Sequence, residues 1–154
     1  MNNILLENYI KSILKQNQIN SLHVFDFDMT LYDHDKECWI ENVISDLKKS
    51  LSNPRARVIL CTARTNDTQY IKDTERLLNQ NNMSLKQFDQ CYFKSAYRKE
   101  NAPTYKSHVI LDEICANSNI ISVKFWDDRE DTLQKTGFDL RQHNQDIEYI
   151  PVKC

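Results

Sequence analysis

Five short apolar runs, at residues 22–27, 57–61, 90–93, 120–126 and 147–152, are separated by stretches with helical spacing, and that alternation most restricts the fold. Joining one strand to a parallel neighbour takes a crossover of a dozen or more residues, which a helix supplies. Trp39, Ile40, Val43, Ile44, Leu47 and Leu51 recur at three- and four-residue intervals as far as Asn53-Pro54, where a helix must stop. Further helices are predicted over residues 67–80, 103–116 and 130–136, the last ending at Gly137. A leading helix is marked by Leu6, Tyr9, Ile10, Ile13 and Leu14. After it the order is βαβαβαβαβ, which predicts an α/β fold: a doubly wound, Rossmann-like, mostly parallel sheet with helices on both faces. Ligands of such sheets bind beyond the carboxyl ends of the strands.

A chain of 154 residues with 40% hydrophobic content fits a single domain over residues 1–154, with residues 1–20 forming a helix packed on the core. The formal net charge of −2 gives no global field directed at nucleic acid, although it leaves room for a local basic patch. Cys38, Cys61, Cys91, Cys115 and Cys154 are odd in number and show no C-x-x-C spacing, which reads as reduced cysteines in a cytoplasmic, intracellular compartment. No apolar run approaches the length of a membrane span and the N-terminus does not read as a signal peptide, so a soluble protein without a membrane partner is expected. Gly137 is the single glycine, so phosphate cannot be held by a glycine-rich loop and must be met by side chains and a metal.

Two carboxylates, Asp26 and Asp28, leave the first strand two positions apart and point the same way. Like charges at that separation raise each other's pKa, and a cation or a reacting phosphate relieves the repulsion. Thr62 and Arg64 follow the second strand, and Asp127, Asp128 and Arg129 follow the fourth. Lys106 lies near the start of the preceding helix, whose N-terminus also favours anions. All of these fall at one sheet edge. Several carboxylates, one lysine and one hydroxyl in a single crevice describe a phosphoryl-transfer site with a hard divalent cation.

The set Asp26-Phe27-Asp28-Met29-Thr30-Leu31, then Leu60-Cys61-Thr62, then Lys106, then Phe125-Trp126-Asp127-Asp128 resembles the four motifs of the haloacid dehalogenase (HAD) superfamily of phosphohydrolases, in order and spacing, across residues 22–132. Thr104-Tyr105-Lys106 followed by Trp126-Asp127-Asp128-Arg129 is similar to the polynucleotide 3'-phosphatase and Swiss-army-knife RNA-repair-like branch. The resemblance implies that Asp26 is the nucleophile, forming an aspartyl-phosphate, and that Asp28 is general acid and later base, its backbone carbonyl binding metal. It implies that Thr62 bonds the transferring phosphoryl oxygens and that Lys106 offsets negative charge. Asp127 and Asp128 would anchor Mg2+, with Asp128 as the direct ligand and Asp127 acting through water or steering Lys106. Met29 and Ala63 stand where the motifs usually carry glycine.

Neither the stretch from Asp28 to Thr62 nor that from Thr62 to Lys106 has room for a cap domain. In this superfamily open sites resemble those acting on macromolecular ends. The expected function is therefore Mg-dependent removal of a terminal 3' phosphate from nucleic acid in end repair, and a repair kinase or ligase is a partner compatible with that task. A phosphatase for phosphoprotein or a small metabolite is the alternative, and a non-catalytic binding module with this fold is a third. Arg64 and Arg129 are read equally as contacts to substrate phosphate or as partners of acidic neighbours. The segment from Lys94 to Lys99, with Tyr92 and Tyr105 nearby, reads either as a solvated basic loop or as a surface that holds a nucleic-acid backbone and stacks a base.

Overall fold

The computed structural model describes residues 3–154. At its centre is a five-stranded sheet, all parallel, in the spatial order β5-β4-β1-β6-β7. Its strands are β1 (Ser21–Phe25), β4 (Ala56–Thr65), β5 (Gln90–Lys94), β6 (Ser122–Asp127) and β7 (Glu148–Lys153). Two short antiparallel strands, β2 (Tyr32–Asp33) and β3 (Cys38–Trp39), form a separate hairpin after β1. The helices are α1 (Asn3–Gln18), α2 (Glu41–Leu51), α3 (Thr68–Gln80), α4 (Ala102–Ala116) and α5 (Glu130–His143). The predicted doubly wound α/β sheet is what forms.

Alternation along the strands builds two cores. Leu22, Val24, Ile59, Cys61, Val123 and Phe125 face α4 and α5, where they meet Val109, Ile110, Ile114, Leu133 and Leu140. Phe25, Val58, Leu60 and Trp126 face the opposite way and meet Val43, Ile44 and Leu47 of α2 and Leu77 and Leu78 of α3. Trp126 stacks on Phe25 with ring centroids 4.1 Å apart, and its indole N–H reaches Asp46 at 3.2 Å. The chain moves outward from β1 through β4 to β5, then crosses to β6 and β7 on the other side. The order therefore reverses at β1, which opens a crevice beyond its carboxyl end.

Three expectations change. The N-terminal helix does not bury its apolar stripe: Leu6, Tyr9, Ile10, Ile13 and Leu14 all remain exposed. Both sheet faces are already covered by two helices each, so no face is left for α1, which is pinned by Lys15 against Asp89 at 3.4 Å. The last helix does not stop at Gly137 but continues to His143. A Cβ on Gly137 would lie 2.7 Å from Cε1 of Tyr149, so glycine here serves the close approach of β7 to α5. Finally, β4 runs four residues beyond the apolar run 57–61, with its pairing to β5 irregular between Thr62 and Thr65. Among the described residues no helix is long and apolar enough to cross a membrane.

Candidate active site

Asp26 directly follows β1, and its backbone N–H donates to the Trp126 carbonyl at 3.0 Å, which holds the end of β1 against β6. The chain then turns sharply. Three amides, of Thr30, Leu31 and Tyr32, converge on the Phe27 carbonyl, and Met29 takes a left-handed φ of 58°. Methionine is thus held in the conformation that glycine adopts most easily. The turn places Asp28 beside the β2–β3 hairpin, away from Asp26.

Lys106 lies in the second turn of α4, a helix capped by Asn101, whose side chain accepts from the Thr104 amide at 3.0 Å. Its ammonium is 2.9 Å from Asp26 Oδ1 and 2.7 Å from Asp127 Oδ2. Asp26, Asp127 and Lys106 are all buried. Asp127 is completely so, and its other oxygen accepts the Arg129 amide at 2.8 Å. Burial raises the Asp26 carboxyl to about 7 against the opposing pull of Lys106, with Asp127 adding to the rise. Burial works against the charge on Lys106 as well, yet the two carboxylates hold its pKa above the ordinary value. Asp128 is less buried; desolvation and then the charge of Asp127 raise its carboxyl.

Carboxylate oxygens of Asp26, Asp127 and Asp128 lie within 4.8 Å of one another. Three carboxylates against one ammonium leave net negative charge in a partly desolvated pocket. That donor set of hard oxygens fits a divalent cation such as Mg2+. The Asp28 carboxylate is not part of the cluster; the resemblance assigned its backbone carbonyl, not its side chain, to the metal.

Asp28 has a different environment. Arg64 grips it through Nε at 3.0 Å and Nη2 at 2.8 Å, and His34 Nε2 lies 2.5 Å from Oδ1. Burial opposes the charge of Asp28, but the Arg64 guanidinium and then His34 outweigh it and hold the carboxyl below its usual range. Arg64 is itself fixed: Nη1 reaches Asp73 at 3.1 Å and Thr74 Oγ1 at 3.0 Å, and the guanidinium stacks over Phe27 at 4.6 Å. Of the two readings of Arg64, the geometry shows the acidic partners. Arg129 likewise pairs with Asp131, at 2.7 Å, and stays half exposed. Thr62 is fully buried one register step beyond the level of Asp26, and its hydroxyl accepts the Arg64 amide at 3.2 Å.

Four contacts were missing from the sequence reading: His34, Asp73, Thr74, and Thr30, whose hydroxyl lies 3.5 Å from Asp26 Oδ2. Thr30 lies within the quoted motif and could have been weighed there. His34 depends on how the hairpin folds back, and no local pattern marks it. No cap domain covers the crevice among the described residues; Asp28 and Thr62 are separated only by the hairpin, α2 and β4.

Residues 6–152 match the family model described as HAD domain family 1 in Swiss Army Knife RNA repair proteins. The chain belongs to this family. Its fold is similar to that of a chain in a solved structure, "Structure of the Pnkp1/Rnl/Hen1 RNA repair complex", with a TM-score of 0.62 and 20% identity. The match covers 88% of this chain and 43% of that one, so this HAD domain corresponds to less than half of the other protein. No curated protein matches the sequence significantly. Within the HAD family 1 framework, the four quoted motifs occupy the carboxyl ends of β1, β4 and β6 and the start of α4.

Proposed function

We propose that this HAD domain is a phosphomonoesterase that removes a terminal 3' phosphate from nucleic acid during RNA or DNA end repair. The observation that supports this reading most strongly is the convergence of Asp26, Asp127 and Asp128 within 4.8 Å, with Lys106 bridging two of them. Asp26, Asp127 and Asp128 would hold Mg2+, which neutralises charge so that an anionic phosphate can approach a carboxylate.

The residues divide the remaining work. A carboxylate oxygen of Asp26 attacks phosphorus, forming an acyl phosphate as the bond to the leaving oxygen breaks. Asp28 supplies the proton to that oxygen, then takes one from the water that releases inorganic phosphate and regenerates Asp26. For the first of these tasks the grip of Arg64 must loosen, because a carboxyl held below its usual range is a poor acid. A phosphoryl oxygen that draws hydrogen bonds from Arg64 would do this. Thr62 donates to the phosphoryl oxygens, and Asp127 keeps Lys106 aimed at Asp26. The product end is a 3'-hydroxyl, the group on which a ligase acts, so a ligase or kinase of the same repair task is the fitting partner.

The open crevice favours a polymer end over an enclosed metabolite. The test is phosphate release from a 3'-phosphorylated oligonucleotide, a 5'-phosphorylated one, a phosphopeptide and p-nitrophenyl phosphate, with Mg2+ or with chelator. Preference for the 3'-phosphorylated oligonucleotide, lost in chelator, is expected. Faster release from the peptide or the small ester than from either oligonucleotide would remove the repair reading.

A further inference from the structure

The loop between β5 and α4, residues 95–101, leaves the same sheet edge as Asp26. Lys94 pairs in register with Thr65, just beyond Thr62, and its carbonyl accepts the Asn66 amide at 2.8 Å, which ties the loop's root to the rim of the crevice. The far end of the loop is the Asn101 cap of α4, the helix that delivers Lys106. The loop is therefore anchored on both sides of the crevice. It is also locally shaped, with the Arg98 amide on the Ser95 carbonyl at 3.0 Å and the Tyr97 amide on Ser95 Oγ at 3.3 Å.

Three tyrosines lie in or beside this segment, and two are already engaged. Tyr92 donates its hydroxyl to Glu113, and Tyr105 is buried with the Arg98 guanidinium over its ring at 5.1 Å. Tyr97 is different: 94% of it is exposed at the apex of the loop. A ring that touches almost nothing gains nothing for the fold, yet it offers two free faces. The cations divide similarly. Arg98 pairs with Glu100, whereas Lys94 and Lys99 have no ion-pair partner among the described residues. An exposed aromatic face flanked along the chain by two lysines without ion-pair partners among the described residues offers what single-stranded nucleic acid uses: stacking for a base and positive charge for the adjoining phosphates. The groove between α5 and β7 carries charges of both signs, Glu130 and Asp131 with Lys135 and Arg141, and so presents, among the described residues, no comparable run of cations without acidic partners.

We propose that the 95–101 loop binds the nucleotides that lead up to the reacting terminal phosphate, with Tyr97 stacking on a base and Lys94 and Lys99 contacting the backbone. The proposal rests on the phosphatase reading for its orientation, since it places the end of the strand at Asp26. It makes the enzyme prefer oligonucleotides to mononucleotides, because only a strand long enough to reach Tyr97 gains the stack.

The test uses the full chain and a fluorescein-labelled single-stranded RNA hexanucleotide ending in a 3'-hydroxyl, the product state, so that turnover does not interfere. Fluorescence anisotropy should show affinity falling about 5- to 140-fold in Tyr97→Ala, with Tyr97→Phe restoring it, because a phenyl face stacks as a phenol does. The double variant Lys94→Ala/Lys99→Ala should lower the salt dependence of binding by about 1.4 in log–log slope. Equal affinity of the parent and Tyr97→Ala overturns the site. So does a phosphopeptide of the same length that binds more tightly than the RNA and loses affinity in Tyr97→Ala. If the parent releases no phosphate from any ester while the Tyr97 effect on RNA binding persists, the phosphatase reading fails and the binding site stands.

Discussion

Asp26 and Asp28 are two residues apart in the chain, and their surroundings push them in opposite directions. Asp26 is enclosed with Asp127 and Lys106, and burial raises its carboxyl to about 7. Asp28 stands at the mouth of the crevice in the grip of Arg64 and His34, which keep it ionised despite partial burial. The turn at Met29 separates the two side chains into these settings. The same residue type therefore acquires two electrostatic characters within one motif, and the difference is made by partners that lie between 6 and 101 positions away in the chain. In the proposed reaction each character must be reversed by what binds: a cation returns Asp26 to its anionic form, and a phosphoryl group competes with Asp28 for Arg64.

This contrast can be broken most directly by neutralising each carboxylate in turn. Asp26→Asn and Asp28→Asn should each lower steady-state phosphate release by about 10⁴-fold or more, because the two act as one unit. If the roles differ as proposed, single-turnover assays with a good leaving group, which needs no proton, should rescue only the attack step of Asp28→Asn. Near-parental turnover in purified Asp26→Asn would end the mechanism.

Removing Arg64 tests the other half. Arg64→Ala should cost about 10²- to 10³-fold in kcat, the usual loss for one preorganised charge-assisted donor. Arg64→Lys should recover only a small part of this, since one ammonium cannot bridge Asp28 and Asp73 as the planar guanidinium does. Full activity in Arg64→Lys would show that its charge matters and its geometry does not.

The smallest effect is read from stability in chelator. Across about pH 4 to 7, folded Asp26 keeps a proton that the unfolded chain releases, so this group makes metal-free stability fall as pH rises. Thermal unfolding followed from pH 5 to 8 should show that slope diminished in Asp26→Asn. Asp28→Asn should leave it in place, because a carboxyl held below its usual range titrates in both states below that window. An identical change in slope for the two variants would erase the distinction between their environments.

Much of this arrangement was legible in the sequence because it depends on local pattern. Alternating residues such as Val58 and Leu60 against Ile59 and Cys61 assign the two faces of β4, and the motif aspartates are recognisable because each follows directly on an apolar run. What could not be read depends on tertiary closure. The apolar spacing of Leu6, Ile10 and Ile13 predicts a helix correctly, but whether a sheet face remains free for it depends on where α2 to α5 settle. Gly137 carried a stop signal, yet the ring of Tyr149, twelve residues later, explains it better. Arg64 was found, but its partners Asp73 and Thr74 sit on α3, where nothing distinguishes them from other polar residues on an amphipathic helix.

With Gly137 lodged inside α5, no loop of this protein contains a glycine. Its tight bends at Met29, Glu37 and Asn82 are made by residues with side chains, which have fewer alternative conformations to sample. Two of these bends, at Met29 and Glu37, lie in the turn and hairpin that carry Asp28 and His34. A left-handed conformation costs such a residue about 1–2 kcal/mol, so glycine at Met29 or Glu37 would relieve that cost while widening the choices open to the unfolded chain.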